Sequence, residues 1–344
     1  AEGEAPVAFC WNGGAIGSKA MLRHLLEREN FILVDDDGSP LAARVDVEDR
    51  AAALEWLRGK GSPPDQLRPL AIGDLGDIYN FALRKSETPF CTIVTADNQR
   101  AVEKTIYLST YKGVTDLVTK YVWPAPALVL TRLFLKLGLR PNAITWAGVG
   151  FMFAAMYWFW EGHYGLGLLA AWIMALFDTV DGKMARVSHT SSAFGNLLDH
   201  GMDLIHPPFW YWAWAVGLSK IGHPLPDGWF EPLVWSIFVT YILARLFEGY
   251  FIRRFGFHIH VWRHFDSFFR LIVARRNPNL ILLTLFWAVG RPDLGIIFVA
   301  AWQVIAVLVH VCQTAQAEIA LRSGPLRSWL DLEAEKASRD ANPE

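Results

Sequence analysis

The chain has 344 residues, 53% of them hydrophobic and 16 of them Trp, with a formal charge of −2. That composition fits a polytopic membrane protein carrying a soluble part, and the charge gives no basic excess of the kind that draws nucleic acid. Cys10, Cys91 and Cys312 are far apart and match no CxxC or Cys/His metal spacing, which excludes a disulfide framework. The N-terminus shows no basic start followed by an apolar run, so no secretory signal is expected.

Residues 1–112 read as a small soluble α/β unit. The apolar run Phe31-Ile32-Leu33-Val34 precedes the turn signal Asp35-Asp36-Asp37-Gly38, and residues 41–45 could return as the second strand of a hairpin. A short helix is expected over 51–57, a loop at Gly61-Ser62-Pro63-Pro64 and a further strand over 90–94. Gly13-Gly14-Ala15-Ile16-Gly17-Ser18-Lys19 approaches a phosphate-cradling loop but misses its register, because Asn12 stands where the first glycine is needed. Residues 113–140 alternate apolar and polar positions, with Asp116, Thr119 and Lys120 among Leu117, Val118, Tyr121 and Val122. The pattern predicts an amphipathic helix lying on a membrane surface.

From residue 144 onward six spans can be drawn: 144–160, 164–177, 194–218, 229–251, 280–289 (extended back towards Phe268) and 294–311. Lys and Arg concentrate in alternate loops: Lys183 and Arg186, then six arginines between spans four and five, then Arg322 and Arg327. The positive-inside rule then puts both termini on the cytoplasmic side, and the loop after span two with them. A polar tail follows over 323–344.

Charge at the ends of apolar spans is costly and marks a functional site by default. Asp178 and Asp181 are three residues apart, and Asp199 and Asp203 four apart, so each pair shares a helix face. Two such pairs facing one another repel unless cations lie between them. Hard oxygen ligands of this kind suit Mg²⁺ or Mn²⁺.

The run Asp178-x2-Asp181-Gly182-x2-Ala185-Arg186-x8-Gly195-x3-Asp199-x3-Asp203 resembles the complete signature of the CDP-alcohol phosphotransferase (CDP-alcohol phosphatidyltransferase) family. Pro141-Asn142 and Thr145 stand ahead of the first span, as family members often have. The resemblance implies a mainly α fold: a six-transmembrane-helix bundle over 141–322, preceded by the amphipathic helix and the α/β domain. It implies a membrane enzyme that passes a phosphoryl-alcohol group, most simply phosphatidyl from CDP-diacylglycerol, to a hydroxyl acceptor with release of CMP. Asp178, Asp181, Asp199 and Asp203 would bind two divalent ions, with Asp203 also the general base. Gly182, Ala185, Arg186, Gly195, Asn142 and Thr145 would contact the donor.

Arg245, Arg253, Arg254, Arg275 and Arg276 would surround an anionic acceptor, although the same arginines suit lipid headgroups and Arg245 could simply pair with Glu248. Some family members carry a fused nucleotidyltransferase, and residues 1–112 could be a degenerate relative of one. A homodimer through membrane helices is the family's common state. Two alternatives stay open: the same chemistry on a soluble CDP-polyol, and a non-catalytic cation site or scaffold.

Overall fold

The computed structural model describes residues 7–18, 21–22, 26, 30–35, 37–64, 67, 69–80, 83–188, 190 and 193–341, with the backbone alone at 78–79, 193–194, 196–200 and 337–341. The chain divides into two compact units, 1–109 with 330–344, and 110–329.

In the first unit a four-stranded sheet runs in the order β1 (Val7–Trp11), β4 (Pro40–Asp46), β3 (Phe31–Val34), β5 (Pro69–Ala71). β4 is antiparallel to both β1 and β3, and β5 is parallel to β3. Successive side chains of a strand point to opposite faces. Phe31 and Leu33 join one core cluster, with Leu41 and Cys91, while Ile32 joins another with Cys10, Val45 and Trp56. Burial on both faces explains why β3 reads as a continuous apolar run. The expected hairpin, the helix α1 (Arg50–Leu57) and the strand at Cys91–Ile93 are all present. That last strand, β8, pairs with β2 (Ala15–Gly17), and a small hairpin joins β6 (Ile78–Asn80) to β7 (Lys85–Glu87). The helices α2 (Gln99–Ser109) and α11 (Trp329–Ala341) complete the described elements here, residue 329 alone of α11 falling in the second unit.

The second unit is helical. A π-helical turn at Val118–Val122 leads into α3 (Pro124–Lys136). The expected amphipathic helix is therefore shorter than its pattern, since Pro124 and Pro126 are suited to the first turn of a helix and α3 starts there. Then come α4 (Pro141–Trp160), α5 (Tyr164–Val187), α6 (Ala193–Gly217) and α7 (Phe230–Phe255). These are followed by α8 (His264–Ile272), α9 (Arg276–Ala288) and α10 (Pro292–Leu321). Among the described residues, α4, α5, α7 and α10 are long and apolar enough to cross a membrane.

The fifth predicted span differs from expectation. Extended backbone at Val273 and Arg275 breaks it into α8 and α9, so it does not run back continuously towards Phe268. The core of this unit centres on Phe159, Tyr164, Trp210 and Trp214, with aliphatic side chains from α7, α9 and α10 around them. Tyr164 donates its hydroxyl to the Trp214 carbonyl at 2.8 Å, and the Trp214 indole donates to the Pro292 carbonyl at 3.0 Å. Gly167 lets α4 and α5 approach, because a Cβ there would collide with the Phe159 ring. This packing fixes the α4–α5–α6 frame from which the acidic residues project.

Candidate functional site

Three of the four signature aspartates meet. Asp178 and Asp181 from α5 and Asp203 from α6 line one cleft, together with Thr145, Gly148 and Val149 from α4, Met174, and Met202. Asp199 has its backbone on α6, and its side chain lies outside the described residues. Asp181 is buried at 4% exposure, and its Oδ2 accepts the Thr145 hydroxyl at 2.6 Å. Its other oxygen, Oδ1, is buried with no hydrogen-bond partner. A buried carboxylate oxygen left in that state costs stability unless something cationic reaches it. The Asp203 side chain is 44% exposed, so it faces the opening. Its backbone is held in turn by the Tyr241 hydroxyl, which donates to the Asp203 carbonyl at 3.0 Å.

Arg276, the first residue of α9, bridges the two helices. One terminal nitrogen donates to Asp178 Oδ2 at 2.6 Å and the other to Asp203 Oδ1. Its side chain is 11% exposed. One guanidinium brings a single positive charge to three carboxylates. An orphaned buried oxygen beside two more acids is a donor set that fits hard divalent ions.

The other signature positions lie on the same three helices, outside the residues that line this cleft. Arg186 folds back over Gly182, where a Cβ would meet its guanidinium at 3.2 Å. Ala185 is half-buried on the same helix, Gly195 sits near the start of α6, and Asn142 is the second residue of α4. Lys183 is buried, with its ammonium 3.0 Å from the centre of the Tyr111 ring in a cation–π contact.

The arginines expected around an acceptor separate into three groups. Arg276 joins the aspartates. Arg245 and Arg275 both pair with Glu248, the former at 2.8 Å. Arg254 pairs with Glu318 at 3.0 Å on an exposed face, and its neighbour Arg253 is exposed. Around Glu248 the structure also gathers His260 and His310, with candidate ligand atoms of all three within 4.8 Å of one another. His260 lies in the turn Ile259–Val261, outside the long helices. Burial pushes its pKa well below the usual histidine value, outweighing the pull of Glu248, so it is neutral. Two guanidiniums already exceed the charge of this carboxylate, and a divalent ion would add to the excess.

The sequence pattern did not single out Asp116, Thr119 or Asn277, nor the two histidines near Glu248. Asp116 is buried at 7% exposure, and its carboxylate accepts from Thr119 and Asn277. Burial works to raise its pKa, but the nearby Arg270 charge and these hydrogen bonds prevail and hold it below the ordinary carboxylate value. Its signal in the sequence was a lone acid flanked by Val114, Thr115, Leu117 and Val118, which an amphipathic pattern absorbs as a polar position.

Residues 139–309 match the family model described as CDP-alcohol phosphatidyltransferase. Phosphatidylinositol phosphate synthase of Mycobacterium tuberculosis is 32% identical over 119 residues, covering 34% of this chain and 55% of that one. The same enzyme of Mycobacterium marinum is 34% identical over 119 residues, covering 34% and 51%. An uncharacterized class-I CDP-alcohol phosphatidyltransferase family protein of Schizosaccharomyces pombe is 32% identical over 87 residues, 22% of each chain. The match thus spans about half the length of the mycobacterial relatives, and less of the fission-yeast one. Among solved structures, that of the M. tuberculosis phosphatidylinositol phosphate synthase with CDP-DAG bound aligns at 20% identity and a TM-score of 0.40, over 54% of this chain and 90% of that one. Its complex with manganese and citrate aligns at 21% identity and 0.40, over 54% and 86%.

Proposed function

Because the chain belongs, through residues 139–309, to the CDP-alcohol phosphatidyltransferase family, we propose that it transfers the phosphatidyl group of CDP-diacylglycerol to a hydroxyl of an anionic acceptor, releasing CMP, in phospholipid biosynthesis. The observation that carries this reading is the meeting of Asp178, Asp181 and Asp203 in one cleft, with a buried Asp181 oxygen left without a partner.

In this reading Asp178, Asp181, Asp199 and Asp203 hold two divalent ions, Mg²⁺ or Mn²⁺. When bound, such ions neutralise the donor diphosphate and the departing phosphate. The chain's own residues do the rest. Asp203, the more exposed acid, takes the proton of the acceptor hydroxyl. The hydroxyl oxygen bonds to the lipid-bearing phosphorus as the bridge to the CMP phosphate breaks. Thr145 holds Asp181 in place. Gly182, Ala185, Gly195 and Asn142 leave room for the nucleotide, and Arg186 offers its planar fork to the diphosphate. Arg245, Arg275 and Arg276, with Arg253 and Arg254 nearer the surface, attract an acceptor that carries phosphate.

We further read six crossings, α4 to α7, α9 and α10, with the termini and the site on the cytoplasmic side. Residues 1–112 form a degenerate nucleotidyltransferase-like domain, 113–140 a juxtamembrane segment, 141–322 the catalytic domain of a homodimer, and 323–344 a tail. The test is CMP release from CDP-diacylglycerol by purified protein, with a panel of phosphorylated and plain polyols, in Mg²⁺, Mn²⁺ or EDTA. Metal-dependent release is expected. No release with any acceptor and either metal would overturn the reading, and release from soluble CDP-polyols alone would replace the donor.

A further inference from the structure

Asp116 and Arg276 are 160 positions apart, yet an unbroken set of hydrogen bonds joins them. Asp116 Oδ1 accepts the Thr119 backbone N–H at 3.0 Å and the Asn277 amide at 3.0 Å. Asp116 Oδ2 accepts the Thr119 hydroxyl at 2.7 Å, and that hydroxyl accepts the Asn277 amide at 3.3 Å. With its NH₂ group committed to these two, Asn277 turns its oxygen to Arg276, whose Nε donates to it at 3.3 Å. The flipped amide would set oxygen against carboxylate, so the orientation is fixed by the acid. Arg276 then spends its terminal nitrogens on Asp178 and Asp203. Thr119 also lies within the π-helical turn Val118–Val122. Such turns are rare and gather at functional sites.

We infer that Asp116, Thr119 and Asn277 form a positioning relay that pins Arg276 across the carboxylate cleft, and so sets how tightly a divalent cation binds there. The inference rests on the reading of that cleft as the cation site. A guanidinium hydrogen-bonded to Asp178 and Asp203 competes with a cation for the same oxygens. A free arginine side chain loses rotamer entropy on entering such a position, and a fixed Nε reduces that cost. The relay therefore strengthens the competitor. When the terminal nitrogens leave the carboxylates, the Nε tether keeps the guanidinium beside the cleft, where it can meet a phosphate oxygen.

The test is Mn²⁺ binding to the full-length protein without donor, followed by electron paramagnetic resonance, together with the kcat of CMP release. Loosening the relay by N277L, or by the gentler T119V, should tighten Mn²⁺ binding about 3- to 10-fold, the reach of one or two hydrogen bonds. The same variants should lower kcat. R276M should tighten Mn²⁺ further, and N277L added to R276M should change nothing more. Tighter metal with slower turnover is a pairing that damage to the fold does not produce, since damage weakens both. Mn²⁺ binding that is unchanged or weaker in both relay variants, or an N277L effect that persists in R276M, overturns the relay. If D181N leaves Mn²⁺ binding intact in the otherwise unaltered protein, the cation reading of the cleft fails and the relay with it. If binding needs Asp181 but ignores the relay, the relay alone fails.

Discussion

Two charged clusters lie within the helical unit, and they are balanced in opposite senses. At the first, one guanidinium bridges Asp178 and Asp203, and a buried oxygen of the neighbouring Asp181 has no hydrogen-bond partner. At the second, Glu248 alone meets Arg245 and Arg275, with His260 kept neutral by burial. Among the described residues the ligand atoms of Glu248, His260 and His310 lie within 4.8 Å of one another, whereas Asp178, Asp181 and Asp203 are joined by the cleft they line, so spacing alone would nominate the second cluster as a metal centre. Charge separates them: among the described residues the first sets three carboxylates about one directly bonded guanidinium, the second two guanidiniums about one carboxylate. On the proposed reading, the first cluster receives positive ions and the second holds its arginines for a negative group.

The largest effect should come from the acid-rich cluster. Asp181→Asn should reduce CMP release about 10³-fold or more, since on the proposed reading it removes a ligand of the ions that would neutralise the leaving phosphate. Asp203→Asn should abolish turnover while donor binding survives, as measured by protection of the protein against thermal unfolding by CDP-diacylglycerol. Full activity in either variant would erase the distinction between the clusters.

Glu248→Gln sharpens the comparison from the other side. It leaves two guanidiniums facing one another without their shared carboxylate. Breaking a buried pair in this way costs about 3–5 kcal/mol, so the thermal midpoint should fall clearly. Inorganic phosphate should then restore part of the loss in the variant and do less for the parent. Equal responses to phosphate would count against an anion-seeking cluster.

A smaller effect concerns pH. Against the effect of burial, the Arg270 charge and its own hydrogen bonds hold the folded pKa of Asp116 below the ordinary aspartate value. A depressed carboxylate contributes stability that is complete above its unfolded pKa and is lost as pH falls through the folded one. The parent should therefore lose thermal stability below about pH 4 more steeply than Asp116→Asn, whose neutral amide does not titrate. Parallel curves would show that Asp116 is not held as a carboxylate. Smallest of all, Arg254→Ala should leave stability unchanged, because the Arg254–Glu318 pair is solvent-exposed and such pairs contribute little, and should raise the acceptor KM only slightly, as a surface cation that attracts the acceptor without holding it. A marked rise in the acceptor KM would instead place Arg254 at the acceptor.

The sequence made the acidic cluster readable because its residues lie close together along the chain. Asp178 and Asp181 sit on one helical face, Asp203 follows at a fixed interval, and apolar flanks make each acid conspicuous. The strands at Phe31–Val34 and Cys91–Ile93 were legible for a similar reason, as short apolar runs bounded by turns. What escaped was the long-range pairing. Nothing in the spacing of Arg275, Arg276 and Asn277 says that one arginine will turn to Glu248, the next to Asp178 and Asp203, and the asparagine to Asp116. Those partners are chosen by how α5, α6, α7 and the segment before α3 pack around the start of α9. The break between α8 and α9 escaped likewise, because periodicity records apolar faces and not the extended residues at 273 and 275 that divide them.

The most direct measurement is where Mn²⁺ binds. Electron paramagnetic resonance titration of the purified protein should show bound Mn²⁺ that disappears in Asp181→Asn and persists in Glu248→Gln. Bound Mn²⁺ that survives the loss of Asp181 and vanishes with Glu248 would assign the cation to the other cluster and contradict the account.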